Sequence, residues 1–335
     1  MIRVAINGFG RIGRLVFRIM EENEELEVVA INDLTNAEQL AYLLKYDTAH
    51  RNYRVSDISF ENDELIVGNR RIKVYAETDP EKLPWGELKI DEVFECTGHF
   101  TDKESAYAHI KAGAKKVIIS APAKGDLKTI VYNVNENILD GSEEIISAAS
   151  CTTNCLAPVC KVLNDTFGIV KGTMTTVHAY TNDQATLDVS HKKGILSRRG
   201  RASAANIVPS STGAATAIGK VIPELNGRMS GSALRVPTIT GSIIDLTLEL
   251  NKSVTVEEIN QALKNHTNET LGYTKDPIVS SDIIGSRYGA VVDSLLTDVL
   301  EVEGKQFVKV VAWYDNEMGY SSQMVRTALY LGKFL

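Results

Sequence analysis

An α/β fold in two domains is predicted, a parallel sheet wound with helices followed by an α+β domain whose sheet is mostly antiparallel. Three observations carry this reading. The chain opens with a strand, a glycine-rich turn, a helix and a second strand that ends in an acid. Near Ser150 the alternation of helix and parallel strand lapses, and long strands arrive in succession. A length of 335 residues also exceeds the size at which one hydrophobic core usually stops growing. The expected boundaries are 1–150 for the first domain and 151–315 for the second, with a C-terminal helix over 316–335 returning to the first.

Val4-Ala5-Ile6-Asn7 is a short apolar strand, and Gly8-Phe9-Gly10-Arg11-Ile12-Gly13 follows at once. Helical apolar spacing at Leu15, Ile19 and Met20 comes next, then a strand over 26–31 closed by Asn32-Asp33. This is the order of a Rossmann-type dinucleotide-binding unit. Its glycines let the backbone turn tightly, approach a pyrophosphate and pack helix on strand, and an acid about 20 residues on takes the ribose hydroxyls. A carboxylate at Asp33 also repels a 2′-phosphate, so NAD is expected ahead of NADP. The glycine motif alone is weak; the unit around it makes it specific. The stretch 53–74, broken at Glu61-Asn62-Asp63 and Gly68-Asn69, reads as hairpins on an added sheet. Val93-Phe94-Glu95-Cys96-Thr97-Gly98 is a strand running into a turn, at the edge where ligands of such sheets collect. Thr97 is therefore assigned to the cofactor, and Cys96 reads as core. A helix over 103–112 and a strand over 116–120 continue the pattern, and Ser120 at the strand end joins the cofactor residues.

Composition narrows the class of partner. Hydrophobic residues are 44% and charged residues 24%, and the net charge of −7 argues against nucleic acid or an anionic membrane as the main partner. No apolar run approaches the roughly 18 residues needed to span a bilayer. The first residues read directly as a strand and leave no room for a signal peptide, so a cytoplasmic protein is expected. Cys96, Cys151, Cys155 and Cys160 do not form a disulfide framework, and no His/Cys spacing suggests a metal.

Ser150-Cys151-Thr152-Thr153-Asn154-Cys155 is the stretch with chemistry in it. Ser150 is a plausible N-cap for a helix running to Phe167, which sets Cys151 where free amides and the helix dipole favour an anion. A thiol there is expected to ionise below its usual value of about 8.5. Against this, a free cysteine is more often a small buried hydrophobe. Pro158 is expected to kink the helix or delay its start, since a proline in a helix interior costs about 3 kcal/mol.

In the second half, 170–180, 233–237, 242–250 and 307–314 read as strands and 214–221 and 256–265 as helices. His178 falls at a strand end; a lone histidine there is more often structural, but it can meet a distant cysteine in space and exchange protons with it. Ser211-Thr212-Gly213-Ala214-Ala215 looks like a helix start whose amides can hold a phosphate. Arg235 interrupts an apolar strand and is expected to meet an anion, since a charge is seldom buried unpaired. The basic loop 191–201 reads as a solvated surface, with a phosphate-binding arginine or a subunit contact as competing uses; nucleic-acid binding is a further reading that the acidic chain and the lack of interleaved aromatics disfavour.

These motifs, with Arg235-Val236-Pro237-Thr238 and Trp313-Tyr314-Asp315-Asn316-Glu317-Met318-Gly319-Tyr320, resemble those of the phosphorylating glyceraldehyde-3-phosphate dehydrogenases, over essentially the whole chain and in the family's order. The resemblance implies a cysteine nucleophile at Cys151 and a proton-exchanging partner at His178. It implies oxidation of glyceraldehyde 3-phosphate through a thiohemiacetal and a thioester, then attack by inorganic phosphate. Thr181, Asp183 and Arg235 match the site for the substrate's phosphate. Ser150, Thr152, Thr212, Gly213 and Arg199 match that for the attacking phosphate. Asn316 matches the residue that holds the nicotinamide carboxamide, with Tyr320 beside it. A homotetramer is implied as well.

The loop departs from the family pattern. Val189-Ser190 stands where NAD-specific members carry Leu-Pro or Gly-Pro, and 193–197 is longer than usual. NADP use is left open, as are Arg198 and Arg201 as alternatives to Arg199. Two rivals remain: the related erythrose-4-phosphate dehydrogenase, which hydrolyses its acyl-enzyme, and a nucleotide-sensing or RNA-binding protein that has no need of Cys151.

Overall fold

The structure, a computed structural model, describes all 335 residues. The chain divides into two compact units, Met1–Ala149 with Ser321–Leu335, and Ser150–Tyr320.

The first unit is built on β1 (Ile2–Asn7), α1 (Arg11–Met20), β2 (Leu26–Asn32), α2 (Ala37–Lys45), β3 (Ile58–Glu61), β4 (Glu64–Val67), β5 (Arg70–Tyr75), β6 (Glu92–Glu95), α3 (Lys103–Lys111), β7 (Lys116–Ile119) and β8 (Ile145–Ser147). One eight-stranded sheet runs β3-β4-β5-β2-β1-β6-β7-β8. From β5 to β8 every pairing is parallel. Strands such as β6 and β7 are buried at every position, as expected where helices cover both faces of a sheet. The strand order reverses direction at β1, and there the C-terminal ends of neighbouring strands leave a crevice. The hairpins over 53–74 do not form an added sheet: β5 pairs in parallel with β2, so the meander extends the same sheet. The turns that define it are legible locally, but the partner strand is remote in sequence.

The second unit contains α4 (Cys151–Phe167), β9 (Ile169–Ala179), β10 (Val208–Ser211), α5 (Ala214–Val221), β11 (Met229–Val236), β12 (Ser242–Leu250), α6 (Val256–Asn265), β13 (Leu271–Thr274), β14 (Ala290–Asp293), β15 (Asp298–Val302) and β16 (Lys305–Tyr314). Its sheet follows β10-β11-β9-β12-β16-β14-β13, with β15 on β16. Most pairs are antiparallel, but β11–β9 and β14–β13 are parallel. The helix α4 starts at Cys151 and is unbroken through the buried Pro158, so the expected late start is not found. Ser150 caps it: its hydroxyl accepts from the Thr153 amide at 3.1 Å, a bond of about 1 kcal/mol. The last helix, α7 (Met318–Leu331), begins in the second unit, and from Ser321 onward it belongs to the first. It ends at Leu331, and 332–334 form a short 3-10 turn.

Candidate functional site

In the first unit a cleft of about 560 Å³ opens at the end of β1, lined among others by Asn7, Gly8, Gly10, Asn32, Asp33, Glu77, Cys96, Thr97 and Phe100. Gly8 has φ +90°, and a side chain there would run into the backbone of Cys96 and Thr97. A Cβ on Gly13 would strike the Gly8 carbonyl, which is why α1 packs so close to β1. Above Gly10 there is open space, and α1 begins there with no side chain capping its amides. An anion fits that cradle. At the end of β2, Asp33 accepts from the Phe9 amide at 2.7 Å, so the acid that would meet a ribose also braces the glycine turn. The cleft therefore fits a dinucleotide.

The other cofactor assignments lie outside the lining. Phe9 is buried and packs edge-on against Phe17, with ring centroids 5.6 Å apart. Arg11 is paired with Asp47. Burial works to raise the Asp47 carboxyl, but bonds from Arg11 and the His50 amide hold it down at about 2. Ile12 is half-buried, and the Ser120 amide donates to the Glu95 carbonyl at 2.9 Å. Sequence reasoning missed Asn7, Asn32 and Glu77, polar residues at the strand ends whose signal was simply that position.

Cys151 and His178 meet within the second unit, with Sγ 3.4 Å from Nε2. One comes from the first residue of α4 and the other from the end of β9. Register brings in a third residue, because Arg235 on β11 lies directly beside His178 in the parallel pairing. Its Nη1 stands 2.7 Å from His178 Nδ1 and 3.1 Å from the Ala179 carbonyl, which itself lies 2.7 Å from Nδ1. A carbonyl requires a proton on Nδ1 and a guanidinium requires a lone pair there, so the two contacts select opposite tautomers. With Nδ1 bonded to the carbonyl, Nε2 presents its lone pair to the thiol. Burial, and then the Arg235 charge, push the imidazole down to about 3. It is neutral at pH 7.

The expectation of an acidic thiol needs correction. Burial pushes the Cys151 thiol above its ordinary value, and the pull of Arg235 and of the Thr152 hydrogen bonds does not offset it. One turn on, Cys155 is fully buried and pushed up further, and Cys160 is pushed up to about 12. Of the three cysteines on this helix, Cys151 alone is partly exposed.

Thr181 and Asp183 are bonded to each other, Arg199 pairs with Asp183, and Arg235 Nη1 reaches Thr181 Oγ1 at 3.5 Å. Arg199 thus joins the residues expected for the substrate phosphate. Arg201 turns to Asp188 at 3.0 Å, and Arg198 is exposed in a left-handed conformation. The buried Nε of Arg235 has no partner. Thr212 Oγ1 accepts from the Ala214 amide at 3.2 Å, and Gly213 opens α5 with free space where a side chain would be. Thr152 is buried with its hydroxyl 3.0 Å from Tyr314 Oη, which lies 2.8 Å from Thr176 Oγ1. The Tyr314 ring packs edge-on against His178 at 5.8 Å, a contact that no sequence spacing announced. Asn316 accepts at Oδ1 from Thr240 and Ser242 hydroxyls and the Gly241 amide, leaving its amide nitrogen as the end available to donate. Tyr320 is buried.

Comparison with known proteins agrees with both halves. The NAD-binding-domain model of glyceraldehyde 3-phosphate dehydrogenase matches residues 2–103, and the C-terminal-domain model matches 150–316. The chain is 60% identical over 333 residues to glyceraldehyde-3-phosphate dehydrogenase of Clostridium pasteurianum, covering 99% of each chain. To the enzyme of the same name from Streptococcus pyogenes it is 55% identical over 334 residues, again 99% of each. No helix is long and apolar enough to cross a membrane. With a cleft built for a dinucleotide and a thiol set against an imidazole, the chain belongs to the NAD-dependent glyceraldehyde-3-phosphate dehydrogenases.

Proposed function

We propose that the protein oxidises and phosphorylates glyceraldehyde 3-phosphate to 1,3-bisphosphoglycerate with reduction of NAD, through a thiohemiacetal and a thioester on Cys151. The observation that carries this is the 3.4 Å approach of Cys151 Sγ to His178 Nε2. Cys151 attacks the aldehyde carbon while its proton passes to Nε2, and that proton goes on to the new alkoxide. NAD, when bound, supplies the hydride acceptor. As hydride leaves the carbon, His178 takes the hydroxyl proton and the carbonyl re-forms as a thioester. Attack by a phosphate oxygen then expels the sulfur, which recovers a proton from His178.

Arg235 and Thr181 hold the substrate phosphate; the unpartnered Nε of Arg235 supports that role. Asp183 is itself an anion, so its part is to fix Thr181 and Arg199 rather than to touch phosphate. Thr212, Gly213 and the first amides of α5, with Ser150 and Thr152, receive the attacking phosphate. Asn316 takes the nicotinamide carboxamide, with Tyr320 beside it, and Phe9, Arg11, Ile12 and Ser120 shape the glycine turn around the cofactor. A cytoplasmic homotetramer is part of the same reading, supported by Ile195 and Leu196, which are 92% and 89% exposed in the basic loop. Sedimentation as a monomer would sink that part.

Initial rates of NADH formation test the reaction. Inorganic phosphate should stimulate turnover of glyceraldehyde 3-phosphate, and Cys151→Ser should lower it at least roughly 10³-fold while NAD affinity holds. Phosphate-independent turnover, or an active serine variant, would refute the thioester route.

A further inference from the structure

We infer that Trp85 and His109, both outside the cleft, are positioning residues for NAD: they hold the Glu95 carboxylate at the hub of a buried hydrogen-bond chain that orients the cleft's polar lining. Trp85, His109, Glu95, Asn7 and Asn32 are all at most 4% exposed. Trp85 Nε1 donates to His109 Nδ1 at 3.0 Å. An indole nitrogen can only donate, so Nδ1 carries the lone pair and the ring proton sits on Nε2. That nitrogen lies 3.1 Å from Glu95 Oε2, which can only be its acceptor. The same oxygen accepts from Asn7 Nδ2 at 2.6 Å, which turns Asn7 Oδ1 toward Asn32 Nδ2 at 2.7 Å. Asn32 in turn clasps the Glu77 backbone, accepting from its amide at 2.9 Å and donating to its carbonyl at 2.9 Å. On the other branch Glu95 Oε1 accepts from the Thr97 amide at 2.8 Å and from its hydroxyl.

The indole has no alternative, so it fixes the His109 tautomer; His109 then donates to the Glu95 carboxylate and holds it in place, and that acceptor in turn fixes Asn7, Asn32 and Thr97. The outer ends of the chain are Asn7, Asn32, Glu77 and Thr97, and all four line the cleft. They sit at or just beyond the ends of β5, β2, β1 and β6, four adjacent strands that span the reversal point. Neither asparagine can flip without setting donor against donor, so the cleft presents one pattern of donors and acceptors before any ligand arrives. Such pre-organisation lowers the ordering cost of binding. A chain of this kind is favourable only while every member is satisfied, so losing its first donor is felt at its far end.

The test removes that donor and keeps the bulk. In protein with ¹⁵N-labelled histidine, the His109 resonances, assigned by their loss in His109→Gln, should show the Nε2–H tautomer; in Trp85→Phe they should show exchange between tautomers. Calorimetric titration with NAD should give a dissociation constant raised about tenfold in Trp85→Phe and at least as much in His109→Gln. KM for NAD should rise with it while kcat at saturating NAD is unchanged. An Nδ1–H tautomer in the parent overturns the inference even if the variants do not fold. So does NAD affinity within about twofold of the parent in a folded Trp85→Phe whose tautomer has been released, because a purely core role lowers stability and leaves affinity alone.

Discussion

His109 and His178 are both buried, at 0% and 2% exposure, and both approach a group that takes or gives a proton. Their Nδ1 partners separate them. At His109 an indole N–H meets Nδ1 and a carboxylate meets Nε2, and both select the Nε2–H tautomer; Asn7 Nδ2, 3.4 Å from Nε2, gives its proton to the same carboxylate. At His178 a carbonyl and a guanidinium compete for the same nitrogen at the same 2.7 Å. The first ring is locked and the second is poised. At His178 only the tautomer with the proton on Nδ1 leaves Nε2 a lone pair for the thiol, so the partners of Nδ1 decide whether the ring can take a proton, whereas at His109 they hold a shape.

Removing the poised ring should have the largest effect. His178→Asn is expected to lower kcat by roughly 10²–10⁴-fold with NAD affinity unchanged, read by steady-state rates and calorimetry. An equal loss of NAD binding would mean that His178, like His109, holds shape. Arg235→Gln sharpens the comparison by removing one of the two competitors. Loss of a charged hydrogen bond to the substrate phosphate should raise KM for glyceraldehyde 3-phosphate roughly 10–100-fold. It should also move the acid limb of the pH profile upward, because the cation that helps hold His178 down is gone. An unmoved limb would leave burial as the whole cause.

The smallest effect is on stability. The folded value of His178, about 3, lies below its ordinary 6.5, so the unfolded chain binds a proton first as pH falls. Stability contributed by the neutral ring therefore rises with pH across that window and is lost on acidification, by at most roughly 1.4 kcal/mol per pH unit. Urea midpoints at pH 7 and pH 5 should fall less in His178→Asn than in the parent. Equal falls would place the acid sensitivity elsewhere.

Much of this was legible from residues alone where the signal is local. The glycine turn and Asp33 announce themselves because backbone conformation and one carboxylate define them, and both line the cleft. Ser150 was readable as a cap for the same reason, and Ala214–Val221 and Val256–Asn265 match the expected helices. Pro158 misled as to where α4 starts, because helix propensity counts its missing amide but not the burial of Thr152–Cys160 around it. The placement of β5 beside β2 was not readable, since its partner is set by sheet topology rather than by its own alternation.

The sequence by itself determined the order of elements, the dinucleotide turn and the presence of one cysteine at a helix start, because each depends on neighbours within a few residues. Tertiary structure alone decided how acidic that thiol is, which of three arginines reaches Asp183, and which nitrogen of each histidine holds its proton. Those properties come from desolvation and from donors on strands far apart in the chain, and both act over a few ångströms of space whatever the separation in sequence.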